Sequence, residues 1–445
     1  MENHIEAFET AVYRKVTWRL LPYLFLCYIL AYVDRVNVGF AKLQMQQDLG
    51  MTEAVYGLGA GIFFIGYFLF EIPSNMMLRR VGARRWIGPI MIVWGVLSAM
   101  TMSVHNTGSF YLLRFLLGIV ESGFFPGVIL YLTFWYTEKH RARMVALFMS
   151  AIPLSGVVAG PISGWIMARM SGAANLRAWQ WLFLLEGVPA CLAGVVALFF
   201  LTDNPASASW LLPAERELLV RRLGEEKAAK ALSHDTHHSL TEALRSGKIW
   251  LFGLIYFGFV MGNYALGFWL PQVIGDTITR NPMAIGWLSV IPWGSGAVAM
   301  IVFGRHSDAT GERRIHIALS GIVGAAAFAA SAIPGISGVA GLVALTFATI
   351  GIMCAFSTFW ALPTAILSGA AASAGIAWIN AIGNLAGYVG PYAIGMLRDA
   401  THSMLLALLV LSASALFSAV ATLWAAPGGG QAGREHRAVR AATET

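Results

Sequence analysis

The chain has 445 residues, of which 57% are hydrophobic and only 12% charged. A soluble domain carries about 25% charged residues, so a water-soluble enzyme is excluded and a polytopic membrane protein is indicated. The net charge of +7 comes from basic residues in short loops between apolar runs, which is the positive-inside pattern and not a patch for nucleic acid.

The N-terminus, Met1-Glu2-Asn3-His4-Ile5-Glu6, is acidic and polar, unlike a cleavable secretory signal. The first helix must therefore act as its own insertion signal. Runs of about 20 apolar residues, long enough to span a bilayer, number twelve. Their centres lie near Tyr28, Ile65, Val96, Val120, Val157 and Ala190, then Val260, Gly294, Gly324, Ile350, Leu385 and Leu411. Helices are expected, because a lipid-exposed strand edge would leave backbone groups unsatisfied. The expected fold is an all-α membrane protein with twelve transmembrane helices in two pseudo-symmetric six-helix bundles. Residues 1–16 form a cytoplasmic N-terminus, 17–202 the first bundle, 203–247 a cytoplasmic central loop, 248–425 the second bundle and 426–445 a cytoplasmic tail. With the N-terminus inside, 23 Lys and Arg residues fall in inner segments and only five outside, which places both termini in the cytoplasm.

Charge enters the first apolar run at Asp34-Arg35, within Ala31-Tyr32-Val33-Asp34-Arg35-Val36-Asn37. An ionisable side chain near a membrane centre costs roughly 2.5–3.5 kcal/mol, so an adjacent pair there reads as a functional site facing protein. The fourth run carries Arg114 and Glu121, a spacing that puts both on one helix face about 10 Å apart. Asp34, Arg35, Arg114 and Glu121 are expected to form one buried cluster that carries the function. Glu71 and Glu186 read as gate or packing residues against inner-loop arginines. The second half holds no charged residue well inside its apolar runs.

The central segment opens Asp203-Asn204-Pro205, and its Leu211–Glu217 run predicts a short surface helix. His234, His237 and His238 in this loop lack a Cys or carboxylate at ligand spacing, so no metal or other cofactor is expected. Cys27, Cys191 and Cys354 lie inside separate apolar runs and read as buried thiols.

The two halves repeat each other. Val81-Gly82-Ala83-Arg84-Arg85 and Thr310-Gly311-Glu312-Arg313-Arg314 follow the second and eighth runs, 229 residues apart at their glycines. The Gly156–Gly164 string and Gly387-Tyr388-Val389-Gly390-Pro391 lie 230 residues apart at their prolines, Pro161 and Pro391. These strings suit close helix packing and hinges. Two landmarks with nearly one offset indicate parallel six-helix repeats, a transporter architecture with its site between the halves. The same offset carries Asp34 onto Asn263, beside Tyr264, so the second half places neutral polar groups where the first has its charge pair.

Gly304-Arg305-His306-Ser307-Asp308-Ala309-Thr310-Gly311-Glu312-Arg313-Arg314 is close to the loop signature of the major facilitator superfamily, which the chain resembles. In the copy after the second run, Asn75 replaces the leading Gly and Arg79 the Asp. Tyr32–Asn37, Glu71-Ile72-Pro73-Ser74-Asn75, Val81–Trp86 and Glu121-Ser122-Gly123-Phe124-Phe125-Pro126-Gly127 further resemble the anion:cation symporter family of organic-anion transporters. That resemblance implies proton coupling at Asp34 and Glu121 and anion binding at Arg35 and Arg114. It also implies pocket roles for Tyr32, Tyr67, Asn263, Tyr264, Ser357, Trp360, Asn380 and Asn384, and gating by Arg80, Arg84, Asp308, Arg313 and Arg314.

The expected activity is proton-coupled uptake of a small organic carboxylate, an aromatic or tartrate-like acid, by alternating access in the inner membrane. The partners are the anion, protons and the bilayer, and the chain is expected to be a monomer. Anion exchange or facilitation without protons, or anion sensing, are the alternatives. No nucleophile–base pair or metal motif at membrane depth suggests an enzyme.

Overall fold

The computed structural model describes residues 2–232, 246–366 and 369–425. Those residues form seventeen α-helices joined by turns and short 3₁₀ segments, and no strand occurs among them. Eleven helical stretches are long and apolar enough to cross a membrane. The twelfth expected run lies in a 33-residue helix, Gly369–Thr401. Each expected centre falls inside one of these twelve.

The first unit comprises Met1–Gly50 and Ile62–His234. It contains α1 (Glu2–Val36), α2 (Val38–Asp48), most of α3 (Glu53–Val81), α4 (Ala83–Met100), α5 (Thr107–Glu121), α6 (Phe124–Thr133), α7 (Glu138–Met149), α8 (Ala151–Arg169), α9 (Ala178–Phe200) and α10 (Pro213–Leu232). The first and fourth spans are interrupted just past their charges, at Asn37 and at Ser122-Gly123. The first residue of each break keeps its helical bond: Asn37 N–H donates to Val33 O at 2.9 Å and Ser122 N–H to Gly118 O at 3.1 Å. Helices α4 and α9 approach through paired glycines. A Cβ on Gly95 would lie 2.7 Å from Gly187 O, and one on Gly194 would lie 2.8 Å from Gly88 O, so the backbones touch without intervening side chains.

Helix α1 begins at Glu2 and runs without a break into the first span. One sequence expectation changes in this unit. The short helix expected over 211–217 is the 20-residue α10. Pro213 opens it in the first-turn position where proline is tolerated, and Glu215 Oε2 accepts the Leu212 N–H at 2.8 Å. Past Glu217 the chain continues in good helix formers with an Arg221–Glu225 pair at 3.8 Å, and that extends the helix. Ion pairs hold α10 to α1, Lys15 Nζ to Glu215 at 2.6 Å and Arg222 to Glu9 at 2.6 Å. His234, His237, His238 and Arg245, and the tail from 426 on with Arg434, Arg437 and Arg440, lie outside the described residues.

The second unit comprises Met51–Gly61 and Asp235–Thr445. It contains α11 (Gly247–Thr277), α12 (Pro282–Thr310), α13 (Arg314–Ser331), α14 (Gly338–Phe359), α15 (Ala361–Ile366), α16 (Gly369–Thr401) and α17 (Leu405–Ala425), with the first turns of α3. Asp399 on α16 caps α3 across chain, accepting the N–H groups of Glu53 at 3.0 Å and Ala54 at 2.8 Å. Beside it Arg398 pairs with Glu53 at 3.3 Å and Asp276 at 2.6 Å. The repeat landmarks share only the sign of φ: Gly82 takes φ +92° with ψ 155° and Gly311 φ +67° with ψ 2°, both in the half of the map that side chains with a Cβ disfavour.

Candidate functional site

The two broken spans of the first unit deliver its four central buried charges. Helix α1 supplies Asp34, 1% exposed, and Arg35, 7% exposed; α5 supplies Arg114 and Glu121, each 1% exposed. Arg35 Nε donates to Glu121 Oε1 at 3.0 Å, and an Nη of the same guanidinium bonds the same oxygen. Arg35 also lies 5.2 Å from the Phe63 ring centre, 5.3 Å from Tyr67 and 5.9 Å from Tyr32. Arg114 lies 5.0 Å from the same Phe63 ring, so one aromatic ring serves both guanidiniums. A tight crossing sets this geometry: a side chain on Gly118 of α5 would run into the Phe63 backbone.

The four expected charges are together, with a division inside the cluster. Asp34 bonds no arginine among the hydrogen bonds of the described residues. It accepts from Ser98 Oγ of α4 and from Asn37 Nδ2 at 3.3 Å, while Arg114 and Glu121 act on it through space. Glu186 is a correction. It does not meet inner-loop arginines but sits buried on α9, where its Oε1 accepts from Ser163 Oγ of α8 at 2.7 Å. Asn37 and Asp34 are its other neighbours. Sequence reasoning missed Phe63 and Ser98, which carry no signal in an apolar run; Asn37 lay in view inside the quoted motif.

The second unit groups its expected residues less tightly. Asn263 and Tyr264 on α11 are buried at 3% and 5% exposure, and Tyr264 stacks on Phe268 at 5.9 Å. Trp360 belongs to an aromatic cluster around Tyr256, at 4.8 Å, with Phe359 stacked on Tyr256 at 5.0 Å. Asn380 and Asn384 on α16 are half-buried. Ser357 is exposed, and its hydroxyl donates to Cys354 O of its own helix at 3.0 Å; it does not join Asn263.

Of the expected gating residues, Asp308 pairs with Arg313 at 2.5 Å, and Arg313 also donates to Ser307 Oγ at 3.0 Å. Arg314 donates to Leu423 O. In the first unit Arg80 is exposed, and Arg84 gives its backbone N–H to Asp203 Oδ1 at 2.9 Å and its Nε to Leu198 O. Asp203 thus caps α4 from the far end of the unit, at the loop where Arg79 stands in place of the signature's Asp.

A family model described as Major Facilitator Superfamily matches residues 24–391. The chain belongs to the Major Facilitator Superfamily. It is a multi-pass membrane transporter with twelve membrane-spanning helical stretches, not an enzyme. It is 46% identical over 93% of its length to a candidate tartrate transporter of Agrobacterium vitis, covering 91% of that protein. It is 44% identical over 92% of its length to a candidate metabolite transport protein of Pseudomonas putida, NicT, covering 93% of it. Among solved structures, the xylose transporter XylE of Escherichia coli shares the transporter's fold. The TM-score is 0.74 at 15% identity, over 93% of this chain and 97% of that one.

Proposed function

We propose that the transporter carries out proton-coupled uptake of a small organic carboxylate by alternating access, as a monomer in the inner membrane with both termini cytoplasmic. One observation carries this reading: in the first unit a carboxylate, Glu121, already occupies the guanidinium of Arg35, with a second arginine, Arg114, against the same Phe63 ring. A guanidinium fork matches any carboxylate, so an arriving acid competes with Glu121 for Arg35. Losing Arg35 leaves Glu121 a buried carboxylate with a weaker claim to its charge, and it takes a proton. Asp34, held by Ser98 and Asn37, is the second proton-coupling group. The relatives described as tartrate and metabolite transporters support an organic acid as the cargo.

The remaining assignments are part of the same proposal. Residues 17–202 and 248–425 act as the two six-helix bundles, with 203–247 as the inner connection. Tyr32 and Tyr67 border the Arg35 guanidinium as substrate contacts. Asn263, Tyr264, Trp360, Asn380 and Asn384 are the second unit's substrate-facing candidates, with Ser357 the weakest of the set because its hydroxyl is bonded within its helix. The Asp308–Arg313 pair and the basic residues Arg80, Arg84 and Arg314 serve as inner gates.

The test has two arms. Purified protein is screened by thermal shift against tartrate, nicotinate, phthalate, 4-hydroxyphenylacetate and galactonate, since a ligand of the folded state raises its stability by mass action. One acid is expected to stabilise the wild type and not Arg114→Ala. In proteoliposomes an inward proton gradient should then drive accumulation of that acid, and Asp34→Asn and Glu121→Gln should abolish it. Accumulation indifferent to the proton gradient in the wild type points to exchange or facilitation; no stabilising acid at all removes the carboxylate reading.

A further inference from the structure

Glu186 lies beyond the cluster on which uptake was argued, and its surroundings pose a chemical problem. It is 5% exposed. Its Oε1 accepts from Ser163 at 2.7 Å, while Oε2 has no hydrogen-bond partner among the described residues. Asn37, within hydrogen-bonding reach, turns its Nδ2 to Asp34 Oδ1 at 3.3 Å and is left with a buried Oδ1 that also lacks a donor. Two acceptor atoms on neighbouring side chains thus remain unsatisfied, and buried polar atoms are rarely left so.

No charge nearby offers relief. Helix α8 presents neutral Ser163 and α4 neutral Ser98 to this region; α1 presents Asp34, and α9 itself adds the Cys191 thiol. Helix α2 carries the buried Lys42, five residues beyond Asn37, and among the described residues the titratable group acting on Glu186 is Asp34. Arg35 is already engaged by Glu121, and neither Arg114 nor the buried Lys42 is among the groups acting on Glu186. An ionised carboxylate held away from water without a cation is strongly disfavoured.

We infer that Glu186 is a third proton-binding carboxyl of the transporter, resting as a neutral acid and coupled to Asp34 through the Asn37 amide. A proton on Oε2 removes the need of that atom for a donor, leaves Oε1 to accept from Ser163, and spares the site an ionised carboxylate next to Asp34. Two neighbouring carboxyls resist ionising together, so Asp34 ionises only while Glu186 keeps its proton. Transfer of that proton to Asp34 leaves one neutral acid and one carboxylate, with no other reactant needed. The role in a transport cycle rests on the uptake reading above; the protonation of Glu186 does not.

Infrared difference spectroscopy of the full-length protein in lipid nanodiscs, in H₂O and D₂O at neutral pH, reads protonated carboxyls directly and needs no substrate. The wild type is expected to show a protonated-carboxyl C=O band, deuterium-sensitive, that is lost in Glu186→Gln and kept in Glu121→Gln. Ser163→Ala keeps the acid and removes one hydrogen bond to its carbonyl oxygen, so the band should move to higher frequency; this variant serves if Glu186→Gln does not fold. In proteoliposomes, Glu186→Gln should displace the pH midpoint of proton-driven tartrate or nicotinate uptake by about one unit, as expected for coupled sites. A band of undiminished intensity in Glu186→Gln, or one unmoved in Ser163→Ala, overturns the inference. If proton dependence of uptake is absent even in the wild type, the uptake reading fails while the spectrum still decides Glu186.

Discussion

Arg35 and Glu121, 86 residues apart in the chain, meet as a buried ion pair in which the carboxylate side chain is fully enclosed. Such a pair gains little net stability, because desolvation offsets its attraction, yet removing one partner leaves an uncompensated charge.

Glu121→Gln is therefore expected to destabilise the transporter by about 3–5 kcal/mol. Adding Arg35→Gln should recover much of that loss while transport stays abolished. Thermal unfolding of both variants and the wild type in one detergent measures the coupling. A double variant no more stable than the single one would mean that the pair is not the source of the effect.

The tether between α10 and α1 predicts a pH response outside the membrane. Burial works against the charged Glu215, but the hydrogen bonds from Lys15 and from the Leu212 N–H outweigh it, so its carboxyl titrates below the ordinary 4.5. A depressed folded value means that the tether's stabilisation is present above 4.5 and is lost as pH falls through the lowered value. A nitroxide at Gly224→Cys should become more mobile in that acid range, and Glu215→Gln should be mobile at neutral pH already. Mobility unchanged across the range would show that the pair holds nothing.

Glycines on α4 and α10 should respond in opposite directions to the same substitution. A Cβ on Gly95 would lie 2.6 Å from Cys191 Sγ and 2.7 Å from Gly187 O, whereas one on Gly224 meets nothing within 4 Å. Gly95→Ala should cost about 1–3 kcal/mol through overpacking. Gly224→Ala should stabilise α10 by about 0.5–1 kcal/mol. Thermal shift reads the first and hydrogen exchange of α10 the second.

Asp399 caps a helix to which it is not joined, accepting two N–H groups at the start of α3. Asp399→Ala should cost about 1 kcal/mol, a typical cap loss, and Asp399→Asn should restore part of it. Amide exchange at Glu53 and Ala54 is the direct readout.

The twelve spans, the repeat and the charge-bearing runs were all legible in the chain, because a bilayer imposes length and apolarity on every spanning segment and makes any buried charge conspicuous. Asp34, Arg35, Arg114 and Glu121 could be named for that reason, and the helix spacing already put Arg114 and Glu121 on one face. Which carboxylate would take Arg35 was not legible. It depends on how α1, α3 and α5 cross, and that crossing turns on a backbone approach at Gly118 that no hydropathy pattern records. Glu186 shows the limit most plainly: an acid in an apolar run was visible, but its place beside Asn37 and Ser163 follows from how α1 and α8 pack on α9. Local physics sets which segments enter the membrane, whereas the pairing of buried polar groups is a property of tertiary packing.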